Sequence, residues 1–156
     1  MTGVPIPRTV TGHDSNGVAK VLHHGVAQNV RRPRTGVAST LLWSTDGMPV
    51  QNTLGDNVED MGERNLPVAP PPNGTRFIIL EFAPGIGSPM HSTNTIDYIT
   101  VMEGSVDMEL PDKTLKLTAG DTLIQRGTIH AWINRGDVPV RMSIVMVDAI
   151  PLNLYK

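Results

Sequence analysis

The chain has 156 residues, a formal charge of −2, no cysteine, 15 glycines and 13 prolines. One domain of this size buries a core without help, and the absence of cysteine excludes disulfide frameworks, cysteine-based zinc sites and thiol nucleophiles. The charge balance offers nothing to nucleic acid, and no apolar run approaches the ~20 residues of a membrane span or the core of a signal peptide. The expectation is a cytoplasmic protein with no nucleic-acid and no membrane partner, built from short strands and turns.

The first predicted element is a hairpin. Arg8–Gly12 and Val18–Leu22 flank Asp14-Ser15-Asn16-Gly17, and Asn-Gly is a strong two-strand turn signal. Ala38–Trp43 reads as a strand. Residues 46–75 are polar and rich in Pro and Gly; a stretch this long without pattern reads as a functional excursion, such as a lid over a pocket. Residues 1–36 carry five cations against Asp14, a balance of +4, and residues 37–75 carry five carboxylates against Arg64, a balance of −4. Solvated faces are the expected reading, and a meeting of basic arm and acidic loop is the alternative.

From Arg76 the pattern sharpens. Arg76–Phe82, Ile96–Glu103, Ser105–Leu110, Thr114–Leu117, Thr122–Gln125, His130–Asn134 and Val140–Val147 are short apolar-rich runs separated by Gly, Pro and Asp signals. Strands at this spacing describe an antiparallel sandwich or small barrel. No long segment keeps apolar residues at helical spacing.

Two of these runs hold the chemistry. Gly85, five residues, His91, one residue, Thr93, three residues, Asp97, six residues, Gly104 form one spacing. Gly127, two residues, His130, three residues, Asn134 form a second, and fifteen residues separate Gly104 from Gly120. Over roughly residues 76–148 the chain resembles the cupin superfamily, whose first motif is G-x5-H-x-H-x3-E-x6-G and whose second is G-x5-P-x-G-x2-H-x3-N. The resemblance implies a double-stranded β-helix: an all-β jelly-roll barrel over 76–156, here with an N-terminal β extension over 1–75, in one domain overall. It departs from the family at Thr93, which stands where the second histidine would be, and at Asp97 in place of glutamate. Gln125 stands at the proline position, and the second motif is one residue short.

In the family, two His, a Glu and a third His hold a divalent metal, so the resemblance implies His91, Asp97 and His130 as the remaining ligands. Cofactor content is expected to be none or one divalent metal: zinc, iron or manganese. Read as residues, strand alternation gives positions 91, 93 and 97 the parity of one face if the strand runs unbroken, and gives His130, Trp132 and Asn134 another. Two imidazoles and a carboxylate make either a three-ligand site or an acid/base cluster. His91, Asp97 and His130 are the candidate catalytic residues, and Thr93, Gln125, Trp132 and Asn134 the candidate substrate contacts. His23 and His24, adjacent on a strand, cannot both enter one site. The leading expectation is a lyase or isomerase performing dehydration, decarboxylation, cyclisation or epimerisation on a hydrophobic, aromatic or cyclic small molecule. An iron dioxygenase and a non-catalytic binding module are the rivals. A homodimer is expected, because an isolated two-stranded hairpin needs a further sheet to join.

Overall fold

The computed structural model describes residues 3–153. Eleven strands are present among them: β1 (Pro7–His13), β2 (Ala19–Val26), β3 (Val30–Arg31), β4 (Val37–Thr45), β5 (Thr75–Phe82), β6 (Thr95–Glu103), β7 (Ser105–Glu109), β8 (Thr114–Thr118), β9 (Thr122–Arg126), β10 (Ala131–Ile133) and β11 (Val140–Asp148). The described residues contain no helix, so none is long and apolar enough to cross a membrane. Ten strands lie where the alternation places them. Only β3 has no counterpart in the pattern, because two residues carry no periodicity.

Six strands form one antiparallel sheet in the order β3-β4-β5-β11-β6-β9, and β10-β7-β8 form a second. Residues 86–91 extend the small sheet without regular strand geometry. Gly87 bridges Ile133 and His91 bridges His130, with paired bonds of 2.8 and 2.9 Å between the His91 and His130 main chains. Gly87 is required at this crossing: a Cβ there would lie 2.1 Å from the Trp132 carbonyl oxygen. The inner faces of the two sheets share one core, in which Val106, Met108 and Trp132 meet Phe82, Ile99, Val101, Met142 and Ile144. The result is a jelly-roll barrel.

Directly opposed residues on antiparallel strands point to the same side, so the register stacks the inner face of the large sheet in rows. Leu80, Met142 and Val101 make one row, and Ile78, Ile144, Ile99 and Leu123 the next. The third row, at one end of the barrel, is Arg76, Met146, Asp97 and Gln125. All four are buried. The barrel is therefore apolar along its length and polar at that end. Gly104, at a φ of +74°, makes the turn from β6 to β7; a Cβ there would meet the Pro139 carbonyl oxygen at 2.6 Å.

The division at residue 75 is not a boundary in the fold. β4 pairs with β5 along its length, and its Val37 and Leu41 belong to the main core. The extension proper is the β1–β2 hairpin, which lies outside the large sheet. Ile6 and Ala27, at the hairpin's two ends, pack with Leu42, Ile79 and Phe77 on the sheet's outer face. The basic arm and acidic loop are not simply solvated: they meet within the chain. Arg8 grips Asp60 at 2.5 Å and Lys20 pairs with Asp56 at 2.7 Å.

Candidate functional site

His91 and His130 come from the two strand-like segments that bridge at the polar end of the small sheet. Their ring centroids are 4.4 Å apart, with planes tilted by 50°. His91 Nδ1 lies 2.8 Å from the Pro89 carbonyl oxygen, and His130 Nδ1 lies 2.9 Å from that of Thr128. A carbonyl only accepts, so each Nδ1 carries the proton and donates it. In its neutral form each ring thus has its Nε2 lone pair free. This tautomer follows from the two-residue offset between each carbonyl and its histidine, which residue identities do not reveal.

Gln125 and Trp132 fix the His130 ring from two more directions. The Gln125 side-chain amide is 2.9 Å from His130 Nδ1. Because that nitrogen already donates, the amide presents its oxygen to it, and its NH2 occupies the buried end of the group that has no protein partner. Trp132 meets the imidazole edge-on at 5.4 Å between centroids, and its own main-chain N–H donates to Ser88 Oγ at 3.0 Å. The indole belongs to the barrel core rather than standing free to stack on a ligand.

Asp97 reaches the site from the opposite sheet. The expected unbroken strand from 91 to 97 does not exist: the chain leaves the small sheet after His91 and begins β6 at Thr95. His91 is exposed, Thr93 half-buried and Asp97 buried. The Thr93 and Thr95 hydroxyls are 2.8 Å apart. Thr95 was not among the candidates, although positions 93, 95 and 97 share a parity that marks it. Burial pushes the Asp97 carboxyl above its ordinary range, opposed by the Thr95 hydroxyl and the charge of His91, and Oδ1 has no hydrogen-bond partner. Burial likewise pushes His130 below the ordinary imidazole range; the Thr128 carbonyl opposes this and His91 adds to it. Burial thus holds Asp97 toward its protonated form and His130 toward its neutral form.

Asn134 is not a ligand contact. Its Nδ2 donates to the carbonyls of Phe82 (3.0 Å) and Val138 (2.8 Å), and its Oδ1 accepts from Gly136 N–H (2.9 Å). The side chain pins the β10–β11 connection. Nor do His23 and His24 join the site. His24 Nδ1 pairs with Thr9 Oγ1 at 2.8 Å, and His23 Nδ1 stands 3.9 Å from Asp60 Oδ2, both on the hairpin.

The implied metal finds a partial donor set. The two free Nε2 atoms are suitable ligands, but the Thr93 hydroxyl is paired with Thr95 and supplies no charge. Among the described residues, no group of three or more His, Cys, Asp or Glu side chains is placed to hold a metal ion. As arranged, the residues do not fit a three-ligand cage. The loop over 46–75 is not a lid on the histidines. Its first part, with the hairpin and Trp43, encloses a separate cavity of about 660 Å³ that none of the candidate residues lines.

The profile of the Cupin_2 family, described as a cupin domain, matches residues 78–148. The cupin-domain-containing oxidoreductase fogC of Aspergillus ruber is 32% identical over 148 residues, covering 92% of this chain and 72% of the relative. The phomopsin biosynthesis cluster protein D of Diaporthe leptostromiformis is 30% identical over 156 residues, covering 94% and 80%. Among solved structures, the Cnp3 cupin domain of Schizosaccharomyces pombe superposes with a TM-score of 0.55 at 11% identity, over 93% of this chain and 89% of that one; the likeness is one of fold.

Proposed function

The chain belongs to the cupin domain family, and from that premise we propose a small biosynthetic enzyme that moves protons on a hydrophobic small molecule, in a lyase or isomerase reaction. Relatives described as oxidoreductases and as biosynthesis cluster proteins support an enzyme of specialised metabolism. One observation carries the chemistry: two imidazoles 4.4 Å apart, each with Nδ1–H anchored on a carbonyl, beside a buried carboxyl with a free oxygen.

In this reading His130, held neutral by burial, takes a proton from the substrate at Nε2. Asp97, whose raised affinity for protons suits it to donate, returns one. Gln125 and the Thr128 carbonyl hold His130 in the tautomer that leaves Nε2 open. His91, 4.4 Å from the His130 ring, acts electrostatically on both neighbours. Dehydration, cyclisation and epimerisation all reduce to such a pair of transfers. Comparing metabolites of cells with and without the gene identifies the substrate. Turnover in D2O then places deuterium at the reacting carbon of an epimerised product, or releases a substrate C–H label to solvent in a dehydration or cyclisation, and continues without oxygen. Strict oxygen dependence with neither incorporation nor release refutes the reading.

A second reading, oxidation dependent on a divalent metal such as iron, is favoured by the names of the relatives. It requires a metal bound in stoichiometric amount and lost in His91→Ala, which elemental analysis measures directly.

A further inference from the structure

The proton-transfer site accounts for the polar end of the barrel but not for an opening of about 420 Å³ on the seam between the sheets. There β8 ends the small sheet and β9 ends the large one, with no strand pairing across the gap. The walls include the aliphatic side chains of Met108, Leu110, Leu115 and Leu123, joined by Leu152 from beyond β11. Gln125 also lines the opening. It is only 2% exposed; one end of its amide rests on His130, and the other end is buried with no partner. A buried amide left half-satisfied is unfavourable unless something completes it. The opening also lies one side chain from the histidines: Met108 stands opposite Trp132 in the small sheet, and Trp132 touches His130 edge-on.

We propose that this seam cavity receives the apolar body of the substrate, and that the Gln125 amide N–H binds a single acceptor oxygen on it, as in a neutral aryl or alkyl ketone. The assignment rests on the proton-transfer reading of His91, Asp97 and His130. A volume of 420 Å³ lies within the ~300–1,000 Å³ of small-molecule sites and holds a ring with a short chain. The one charged lining side chain, Arg126, is exposed, so the inner part suits uncharged matter. A carbonyl oxygen is what a buried N–H donor selects, and it acidifies the neighbouring C–H that a neutral imidazole can take.

The chain has no cysteine, so Leu115→Cys creates a single thiol at the cavity wall. The probe is acetophenone, with α-methylstyrene as its counterpart lacking the oxygen and Val50→Cys, in the separate N-terminal cavity, as the control thiol. Acetophenone is expected to slow alkylation of Leu115→Cys by N-ethylmaleimide at least threefold and to leave Val50→Cys unaffected. Gln125→Leu should erase its advantage over α-methylstyrene. Leu123→Cys substitutes if Leu115→Cys lacks a native-like thermal transition. Equal alkylation with and without acetophenone overturns the cavity assignment, and so does full turnover of the gene's metabolite by alkylated Leu115→Cys. Retained advantage in Gln125→Leu overturns the role of the amide. By contrast, full turnover by His130→Ala overturns the proton-transfer reading while leaving the protection result intact, so the two failures are told apart.

Discussion

Asp97→Asn should make the protein more stable and less active. The side chain is 5% exposed and its Oδ1 has no partner, so ionising it places an uncompensated charge in the barrel. Its affinity for protons is accordingly raised on folding. For a carboxyl raised in the folded state, the favourable contribution is complete below the unfolded pKa and is lost as pH rises through the folded one. As pH rises, the wild type therefore meets a cost of ionising the buried carboxyl that the amide never meets. Relieving a buried unsatisfied group is worth ~1–3 kcal/mol, which in a domain of this size moves Tm by roughly 2–10 °C. The assay is thermal unfolding of both proteins across pH 4 to 8. The gap in Tm should be small at the acid end and open as pH rises. His130, depressed in the folded state, loses its contribution as pH falls through its folded pKa, but it does so in both proteins and largely cancels. A variant less stable than wild type at pH 7, or a gap independent of pH, would refute the reasoning. Activity should fall at the same time, the usual exchange at a site built on an unfavourable charge.

His130→Ala should lower turnover by ~10²–10⁴ with a smaller effect on binding, measured by steady-state kinetics; a loss below tenfold contradicts a role as base. The wild-type pH–rate profile should be a bell whose limbs belong to the His130–Asp97 pair. Its acid limb should lie below the ordinary imidazole range, because burial depresses His130, and its alkaline limb above the ordinary carboxyl range. Asn134→Ala should cost about 2–5 kcal/mol in urea unfolding, since it leaves two carbonyls and an N–H without partners; a cost under 1 kcal/mol would show that water replaces them. We also propose a homodimer: Tyr98, Met102 and Ile124 are about half exposed on the outer face of the large sheet. Light scattering at micromolar concentration should give twice the 16.9 kDa chain mass, and a monomer would contradict it.

The sequence determined the strands and the motif positions. Alternation and turn residues depend on local sterics and on one buried face, both of which are written along the chain, and so the limits of β4 to β11 follow to within a residue or two. The glycines at 85 and 104 and the spacing of His91, Asp97, His130 and Asn134 were equally legible, whereas the need for Gly87 at the crossing was not. Parity was not sufficient to decide the site. His91 and Asp97 have matching parity, yet the chain changes sheets between them, and only the closed barrel brings them back together. The tertiary structure alone separated a working group from a structural one. Asn134 spends its whole amide on main chain, whereas Gln125 holds His130 and keeps one buried end unpaired. It also decided that the hairpin's Arg8 would reach the loop's Asp60. Hydrogen-bond partners, desolvation and ion pairs are properties of distances between segments far apart in the chain, and those distances exist only once the two sheets have closed on their common core.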